Sequence, residues 1–311
     1  MNHTFERLWT SILNTDSFRR FAKKGPGSAL FHSHAYQSLN LTRQFLTTAY
    51  NVRRNPGLFR EVKTYVVFIG HNKSGTSMIG SLLDAHPSVV ISDEVDALKY
   101  IPVGFSREQI FHLLLKGSRR ELIKGRVTAR RLQPYSYLVP GQWQGRFDQL
   151  QVIGDSTSGS STRRFAADPE LPGRLQMLMG AVNVKFIQVI RNPYDPISVM
   201  MVRGKRTFEN AIEHYFTNCE TLARLREGLN SSQLFSVKYE DFIHNPEAQL
   251  GNLCAYLDIQ SYEDYIRACT SILYKTPERS RQIVAWDPTW IEVVKTRLEC
   301  YDFLQGYSYQ D

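Results

Sequence analysis

The chain has 311 residues, 42% of them hydrophobic, and this length is enough to bury a large core in one elaborated domain. Charged residues make up 22%, close to the average of globular proteins, and the net charge is +8. A basic balance suits an anionic ligand, an acidic partner or a membrane surface, and equally an unspecialised basic surface.

No stretch approaches the roughly 20 apolar residues of a membrane span. Residues 1–20 carry polar and charged groups throughout and lack the continuous apolar centre of a signal peptide. The four cysteines form no CxxC pair and have no histidine at zinc-finger spacing, which favours thiols in a reducing compartment. These features together predict a cytoplasmic location with no transmembrane segment.

Residues 1–60 form a leader with apolar positions at mixed helical spacing. The sequence Lys-Gly-Pro-Gly at 24–27 separates two predicted helices, and Asn-Pro-Gly at 55–57 is a turn that ends the leader. The predicted organisation is therefore an N-terminal helical extension at 1–60, followed by a domain at 61–311.

The pattern then changes to strands that alternate with helices. Residues 65–70 are an apolar, β-branched run that ends in glycine, typical of a buried central parallel strand. Further strands are predicted at 89–92, 150–154, 185–190 and 234–238, with helices between them, for example at 77–83, 211–226 and 246–257. This alternation predicts an α/β fold with a parallel sheet flanked by helices.

The loop at 70–77 reads Gly-His-Asn-Lys-Ser-Gly-Thr-Ser and joins the first strand to a helix. A loop that enters a helix N-terminus presents backbone amides and the positive end of the helix dipole to an anion. Gly75 permits close backbone approach, and Lys73 adds a full positive charge. A Walker A loop would carry lysine directly after the second glycine, where this chain has Thr76, so the loop is related to that motif without being standard.

A second motif follows the strand predicted at 185–190. In ATP-hydrolysing relatives of such folds this kind of strand often ends in aspartate, which holds magnesium. Here it ends in Arg191, and arginine offers planar, bidentate recognition of a phosphate. Asn192 and Pro193 force a turn, and Asp195 is positioned to cap the next helix.

Together these two motifs resemble those of the sulfotransferase family that uses 3′-phosphoadenosine-5′-phosphosulfate (PAPS). Weaker similarities are His-Pro at 86–87, the segments at 237–242 and 245–247, and the stretch at 275–280. The resemblance covers about residue 61 to the last residue and is closer to the Golgi-type and tyrosylprotein branch than to the cytosolic small-molecule branch. It implies a P-loop NTPase-like fold, PAPS as sulfuryl donor, 3′-phosphoadenosine-5′-phosphate (PAP) as product, and no required metal.

The resemblance also implies roles for individual residues. Lys73 would stabilise charge on the bridging oxygen as the sulfuryl group leaves, Arg191 would hold the 3′-phosphate, and Tyr239 would lie near the adenine or serve as a core aromatic. Ser198 comes one residue earlier than the serine that the family usually places after the arginine. The implied cofactor-binding residues are Asn72, Lys73, Ser74, Gly75, Thr76, Ser77, Arg191, Ser198, Tyr239 and Ser280.

Sulfuryl transfer to a hydroxyl needs a general base. By resemblance Glu94 is the first candidate and Asp93 the second, and both follow a predicted strand at its carboxyl end, where α/β sites open. The plain alternative is a pair of exposed loop carboxylates. His71 and His112 are weaker candidates.

Two departures from the family bear on the acceptor. Relatives often carry lysine where this chain has Ser156, and the tyrosylprotein-type glutamate is commonly followed by an arginine where this chain has Asp96. These differences argue against assuming a protein-tyrosine acceptor.

The predicted function is transfer of a sulfuryl group to a hydroxyl or amine of an unidentified acceptor. A P-loop kinase or NTPase and a non-catalytic nucleotide-binding relative are the alternatives. The chain has no nucleic-acid recognition motif, and the basic segment at 116–131 is typical of a solvated face. The sequence leaves the oligomeric state open.

Overall fold

The computed structural model describes residues 34–127 and 135–311. The chain divides into two compact units, Met1–Pro56 and Gly57–Asp311. In the first unit the described part is helix α1, His34–Arg54, which contains the second predicted leader helix. The helix predicted before residue 24 lies outside the described residues. The division of the chain into an extension at 1–60 and a catalytic domain at 61–311 stays a prediction.

The second unit is built on a five-stranded parallel sheet with the order β2-β3-β1-β4-β5. All five predicted strands are confirmed, with ends shifted by at most two residues. The strands are β1 (Thr64–Gly70), β2 (Val89–Ser92), β3 (Val152–Asp155), β4 (Asn183–Ile190) and β5 (Leu234–Lys238).

Helices connect the strands, as right-handed parallel crossovers require. They are α2 (Thr76–Leu83), α3 (Arg107–Ile123), α4 (Ser158–Ala167), α5 (Leu171–Met179), α6 (Tyr194–Gly204), α7 (Phe208–Glu227), α8 (Tyr239–His244), α9 (Pro246–Tyr256), α10 (Glu263–Ser271) and α11 (Pro288–Leu298). Short 3₁₀ turns lie at Ala97–Tyr100, Ser280–Ile283 and Asp302–Leu304.

Strand β1 is the centre of the sheet, and all seven of its residues are buried. It pairs with β3 on one side and with β4 on the other. The chain passes from β1 outward to β2, returns to β3 and then crosses to β4, so the strand order reverses around β1. Ligands of open α/β sheets bind at such a switch point, outside the carboxyl ends of the strands. The loop at 70–77, called the anion loop from here on, begins at the end of β1. The motif that starts at Arg191 begins directly after β4.

A hydrophobic cluster fixes the backbone on both sides of Arg191. Ile190 and Tyr194 pack with residues of α6, α7 and α11, and with Trp286 and Leu304 from later in the chain. The Tyr194 ring meets the Trp286 ring edge to face, with 5.0 Å between their centres. The Arg191 motif is therefore packed against segments that lie about a hundred residues further along the chain.

A buried ion pair joins the end of α2 to α3 and to the segment that follows it. The Asp84 carboxylate accepts hydrogen bonds from the Ile91 amide (2.7 Å), from the Ser118 hydroxyl (2.7 Å) and from the Gly145 amide (3.0 Å), and it pairs with the Arg126 guanidinium. Both charged side chains are almost completely buried. Arg126 therefore does not belong to a solvated basic face, as the sequence of 116–131 predicts, but connects parts of the core.

We expect Arg126→Met to destabilise the protein strongly, because it leaves the Asp84 carboxylate buried without its counter-charge. Breaking a buried pair from one side costs about 3–5 kcal/mol in the free energy of unfolding. Urea unfolding followed by circular dichroism measures this. Lys124→Met is the control, since Lys124 pairs with Glu121 (2.8 Å) at the exposed surface and should cost about 1 kcal/mol or less. Equal losses in the two variants would contradict the assignment.

Candidate active site

The loop after β1 leads into α2 with glycine at its last position. Gly75 precedes the helix with φ 97°, and Lys73 also lies in the left-handed region with φ 72°. Asn72 and Lys73 are exposed, whereas Ser74 and Thr76 are buried. The first amides of α2 lack partners within the helix. The loop therefore combines helix amides, hydroxyls and an exposed ammonium, which is the donor set that an anion needs.

Tyr239 packs directly against this loop. A β-carbon added at Gly75 would lie 2.5 Å from Cδ2 of Tyr239, so no larger residue fits there without displacing the ring. On the same tyrosine, the guanidinium carbon of Arg191 lies 4.9 Å from the ring centre. Tyr239 is thus buried and contacts both predicted phosphate motifs. Its proximity to the adenine stays a prediction.

Arg191 connects the loop to the segment near residue 280. Its Nη1 donates to the carbonyl oxygen of Lys73 (3.0 Å). Its Nη2 donates to the Ser280 hydroxyl (3.2 Å) and to the carbonyl of Glu278. The structure therefore brings together Lys73, Arg191 and Ser280, which the sequence predicts to share one cofactor.

The Asp195 carboxylate contacts Arg191 and a second arginine, Arg281. One of its carboxylate oxygens lies 3.4 Å from Nε of Arg191 and 3.0 Å from Nη1 of Arg281, and the other accepts from the Arg281 amide (2.7 Å). The prediction that Asp195 caps α6 is wrong, because Pro193 precedes that helix and no side chain caps it. The carboxylate instead joins the two arginines.

Ser198 is fully buried within α6. Its hydroxyl donates to the Tyr194 carbonyl (2.7 Å) and accepts from Nε1 of Trp286 (2.9 Å). Both partners lie in the hydrophobic cluster beside the motif and not in the anion loop. A phosphate contact by Ser198 stays a prediction, and it would require the hydroxyl to exchange these partners.

A segment near the last residue of the chain supports the same region. Glu240 follows Tyr239 and accepts from the Asn192 amide (2.9 Å) with one oxygen and from the Tyr307 hydroxyl (2.7 Å) with the other. The Asn192 side chain donates to the carbonyl of Ser308 (2.8 Å). Residues 307–308 therefore fasten the turn after Arg191 to the residue that follows Tyr239.

A pocket of about 320 Å³ opens beside the anion loop. Three segments line it, and each follows the carboxyl end of a strand: the loop after β1, the residues after β2 and those after β3. The lining residues are Asn72, Lys73, Thr76, Ser77, Asp93, Glu94, Asp96, Ser156, Thr157, Ser158 and Ser160.

Both predicted general bases line this pocket. Glu94 is exposed and has φ 59°. Asp93 is more buried, and its Oδ1 accepts from Ser156 (2.9 Å) and from Ser77 in the first turn of α2 (3.2 Å). Burial raises the pKa of Asp93, and the nearby Glu94 carboxylate adds to the effect, while the two hydroxyls oppose it. Asp93 is thus tied to the anion loop, and Glu94 is the more accessible carboxylate.

The two residues that depart from the family pattern, Asp96 and Ser156, both make contacts at the pocket. Asp96 receives a two-pronged contact from Arg164 of α4, with Nε and Nη2 at 2.6 Å and 2.5 Å from its oxygens. Ser156 supports Asp93 and packs against α2, where a β-carbon at Gly80 would lie 2.7 Å from it. The Asp96 carboxylate at this wall of the pocket is therefore paired with a guanidinium from α4.

His71 anchors the start of the anion loop to α7. Its Nε2 lies 2.9 Å from the carbonyl oxygen of Tyr215, which only accepts, so Nε2 carries the hydrogen. The imidazole also stacks on the Tyr215 ring at 3.8 Å. Burial is the main cause that lowers the pKa of His71 to about 4, against the opposing effect of this hydrogen bond. His71 is therefore a neutral structural residue of the loop. His112 likewise packs edge to face on Phe59 (4.9 Å).

Hydroxyls from α4 hold the same loop from the other side. Thr162 Oγ1 accepts from the Gly70 amide and donates to the Gly70 carbonyl, both at 3.0 Å. Ser158 donates to the His71 carbonyl (3.2 Å). Sequence reasoning missed these residues and Arg164. The signal available was the dense run of hydroxyls at 156–162, directly after a predicted strand.

Among residues 34–127 and 135–311, no group of three or more histidine, cysteine, aspartate or glutamate side chains is arranged to hold a metal ion. Within the same residues no helix has the length and apolar character needed to cross a membrane. The predictions that no metal is required and that the location is cytoplasmic stay predictions.

We expect acid to destabilise the protein through His71. Its folded-state pKa lies below the ordinary value, so its contribution is present above about pH 6.5 and is lost as the pH falls through 4. From pH 7 to 4 the wild type should lose about 3 kcal/mol more unfolding free energy than His71→Gln. Urea unfolding across this range tests it, with the exposed His244→Gln as control. A pH dependence shared by wild type and His71→Gln would contradict the assignment.

Comparisons with known proteins place this geometry in a family. No curated protein matches the chain significantly. Solved structures that do match include the sulfotransferase domain of an olefin synthase from Synechococcus PCC 7002, with 16% identity over 77% of this chain and 94% of that one and a TM-score of 0.48. A sulfotransferase from Mycobacterium avium matches with 11% identity over 85% and 84% of the chains and a TM-score of 0.47. A mouse sulfotransferase complexed with PAP matches with 13% identity over 79% and 85% and a TM-score of 0.44.

The sequence model of the sulfotransferase family matches residues 66–264, which include the loop after β1, the carboxylates after β2 and the Arg191 motif. The matched region is more than half of the chain, and the predicted family is thereby confirmed. The preference for the Golgi-type and tyrosylprotein branch stays a prediction. The chain belongs to the sulfotransferase family.

Proposed function

We propose that the chain transfers a sulfuryl group from PAPS to a hydroxyl or amine of an acceptor, with Glu94 as general base. The observation that carries this proposal is the contact between the two motifs that contain the cationic residues. Arg191 donates to the Lys73 carbonyl, and both residues belong to motifs that follow adjacent strands. A 3′,5′-bisphosphorylated nucleotide presents two anionic groups and fits such a pair.

The residues present suit that nucleotide. The Nε of Arg191 is buried and makes no hydrogen bond with the described residues, although the Asp195 carboxylate lies 3.4 Å away. The terminal nitrogens of Arg191 donate to carbonyls, which they would exchange for phosphate oxygens. A charged acceptor forms a stronger hydrogen bond than a neutral carbonyl, so this exchange favours binding.

The roles of the residues follow from their positions. The loop amides and the hydroxyls of Ser74, Thr76 and Ser77 would bind the 5′-phosphosulfate. Lys73 would stabilise the charge that develops on the bridging oxygen, which is electrostatic stabilisation in the transition state. PAPS supplies the activated sulfuryl group. The polar wall opposite the loop would orient the acceptor in line with it.

The position of Glu94 supports its role as the base. Its exposed carboxylate lines the same pocket as Lys73, so a proton acceptor and the anion loop face one cavity. Asp93 shares the pocket, but its carboxylate already receives two hydroxyl hydrogen bonds. We therefore assign proton removal to Glu94 and support of the loop to Asp93.

Calorimetric titration tests the donor. We expect the wild type to bind PAP at least tenfold more tightly than ATP with magnesium. Arg191→Ala should weaken PAP binding about a hundredfold, the loss expected for a charge-assisted contact of up to roughly 3 kcal/mol. Ser280→Ala, a smaller change at the same site, should weaken PAP binding less.

The control is Arg203→Ala, which removes an exposed arginine of the helix that follows Arg191. PAP affinity should then equal that of the wild type. Preference for ATP with magnesium, or PAP affinity that is indifferent to both Arg191 and Ser280, would instead favour a kinase-like or NTPase-like protein. PAP binding without transfer to any acceptor would favour a non-catalytic relative.

Two carboxamide variants test the base. Glu94→Gln should lower kcat by a factor of about 10²–10⁴ and leave the PAP dissociation constant unchanged, because a general base acts in the transfer step. Asp93→Asn should have the smaller effect on kcat. The reverse order would move the base to Asp93. In that case kcat/KM should decrease as the pH is lowered, and the decrease should begin at a higher pH than for an ordinary aspartate, since burial raises the pKa of Asp93.

A further inference from the structure

The Glu94 side chain has no anchor of its own. It is exposed, and it makes no hydrogen bond or ion pair with residues 34–127 and 135–311. The place of its carboxylate is therefore set by the backbone of the turn that carries it. Glu94 and Asp96 both have φ 59°, in the left-handed region. Two such residues in one turn are unfavourable, and the conformation persists only where surrounding contacts impose it. The contacts that hold this turn therefore also position Glu94.

Three contacts hold the turn on the side that follows Glu94. The Ala97 amide donates to Oδ2 of the buried Asp155 (2.8 Å). The Asp96 amide donates to the Thr157 hydroxyl (3.3 Å), which in turn donates to the other oxygen of Asp155 (2.7 Å). The third contact is the pair between the Asp96 carboxylate and Arg164. The turn is thereby joined to the end of β3 and to α4.

The pair between Arg164 and Asp96 is well formed for a pair that is not buried. Nε and Nη2 of Arg164 each reach a different carboxylate oxygen, and such a two-pronged contact fixes the carboxylate in orientation as well as in distance. The two side chains are 36% and 20% exposed, and exposed pairs add little to the stability of a fold. The pair joins α4 to a residue that lines the pocket two positions after Glu94, which indicates a role at the site.

We propose that Arg164 is a positioning residue for proton removal, which holds the turn through Asp96 and so keeps the Glu94 carboxylate at the pocket. This inference rests on the proposed function. Arg164 is not one of the residues that line the pocket, so it acts through the turn and not on the reacting atoms. Displacement of a reacting group by about 1 Å can lower a rate a hundredfold. Loss of the pair should therefore slow transfer without changing how the donor binds.

Hydrogen exchange of the full chain, measured by mass spectrometry, tests whether Arg164 holds the turn. Arg164→Met keeps an unbranched side chain and removes the guanidinium. The amides of Asp96 and Ala97 should then exchange about tenfold faster than in the wild type, because the turn opens locally more often. Exchange in the anion loop should not change. This measurement needs no acceptor.

Arg174→Met is the matched control for Arg164→Met. Arg174 of α5 pairs with Asp168 outside the pocket, and the two side chains are 38% and 31% exposed, much like those of the pair at the turn. The control variant should leave both the exchange of the turn and the rate of transfer as in the wild type.

The kinetic test follows PAP release from PAPS with water as the acceptor. The water oxygen forms the new bond to sulfur, the S–O bond to the 5′-phosphate breaks, its electron pair stays on PAP, and the water proton goes to Glu94. Arg164→Met should lower kcat about ten- to a hundredfold and leave the PAP dissociation constant unchanged. Arg164→Lys keeps the charge without the two-pronged geometry and should recover part of the loss.

A double variant separates positioning from a general structural role. In a chain that already carries Glu94→Gln, Arg164→Met should lower kcat no further, because a positioning residue acts only through the residue that it positions. A structural role would lower the rate in both backgrounds. Additive losses in the double variant would therefore overturn the inference.

The outcomes distinguish this inference from the proposed function. If PAP does not bind, or if Glu94→Gln keeps the rate of the wild type, the proposed function or its base fails. If Glu94→Gln is slow and Arg164→Met keeps the rate of the wild type, the inference is overturned and the proposed function stands. Unchanged exchange of the Asp96 and Ala97 amides in Arg164→Met would overturn the inference whatever the rate.

Discussion

The contact between Tyr239, Gly75 and Arg191 is the constraint on which the candidate site depends. The tyrosine ring leaves no space for a side chain at Gly75 and lies against the guanidinium of Arg191. Because the three residues follow three different strands, the ring sets the distance between the anion loop and the second motif. In the function proposed above, that distance has to match the separation of the two phosphate groups of one nucleotide. A shift of the ring would alter both motifs together.

The buried arginines Arg126, Arg281 and Arg191 differ in the groups that they contact. Asp84 with Arg126 and Asp195 with Arg281 are ion pairs whose carboxylates also accept hydrogen bonds from backbone amides and, at Asp84, from a hydroxyl. Arg191 differs in its terminal nitrogens, which donate mainly to carbonyls, while its Nε, like that of Arg126, makes no hydrogen bond with the described residues. Neutral carbonyls are weaker partners for a guanidinium than charged acceptors, which suits the phosphate contact proposed for Arg191.

Local patterns were sufficient to predict the sheet and the two motifs. The apolar runs of β1 and β4, each followed by a polar turn, indicate buried parallel strands. The residues that predict anion binding are consecutive in the loop at 70–77. The supporting contacts were not predictable, because they join residues far apart in the chain. Nothing near position 96 indicates that Arg164 reaches it, and nothing near Tyr239 indicates that Gly75 lies beneath its ring. The capping prediction for Asp195 failed in part for the same reason, since the distant Arg281 and the neighbouring Arg191 both contact the carboxylate.

The fastening of Asn192 to Ser308, across 116 residues of sequence, has a consequence for synthesis of the protein. At a translation rate of about 5–20 residues per second, the partner of this turn is made roughly 6–23 s after the turn itself. During that interval β1 to β4 can pair on the ribosome, while the arginine at the end of β4 lacks the support that Tyr307 gives through Glu240. The nascent chain thus makes the strands of its sheet well before it makes the residues that complete the candidate site, so that order grows from the centre of the sheet outward.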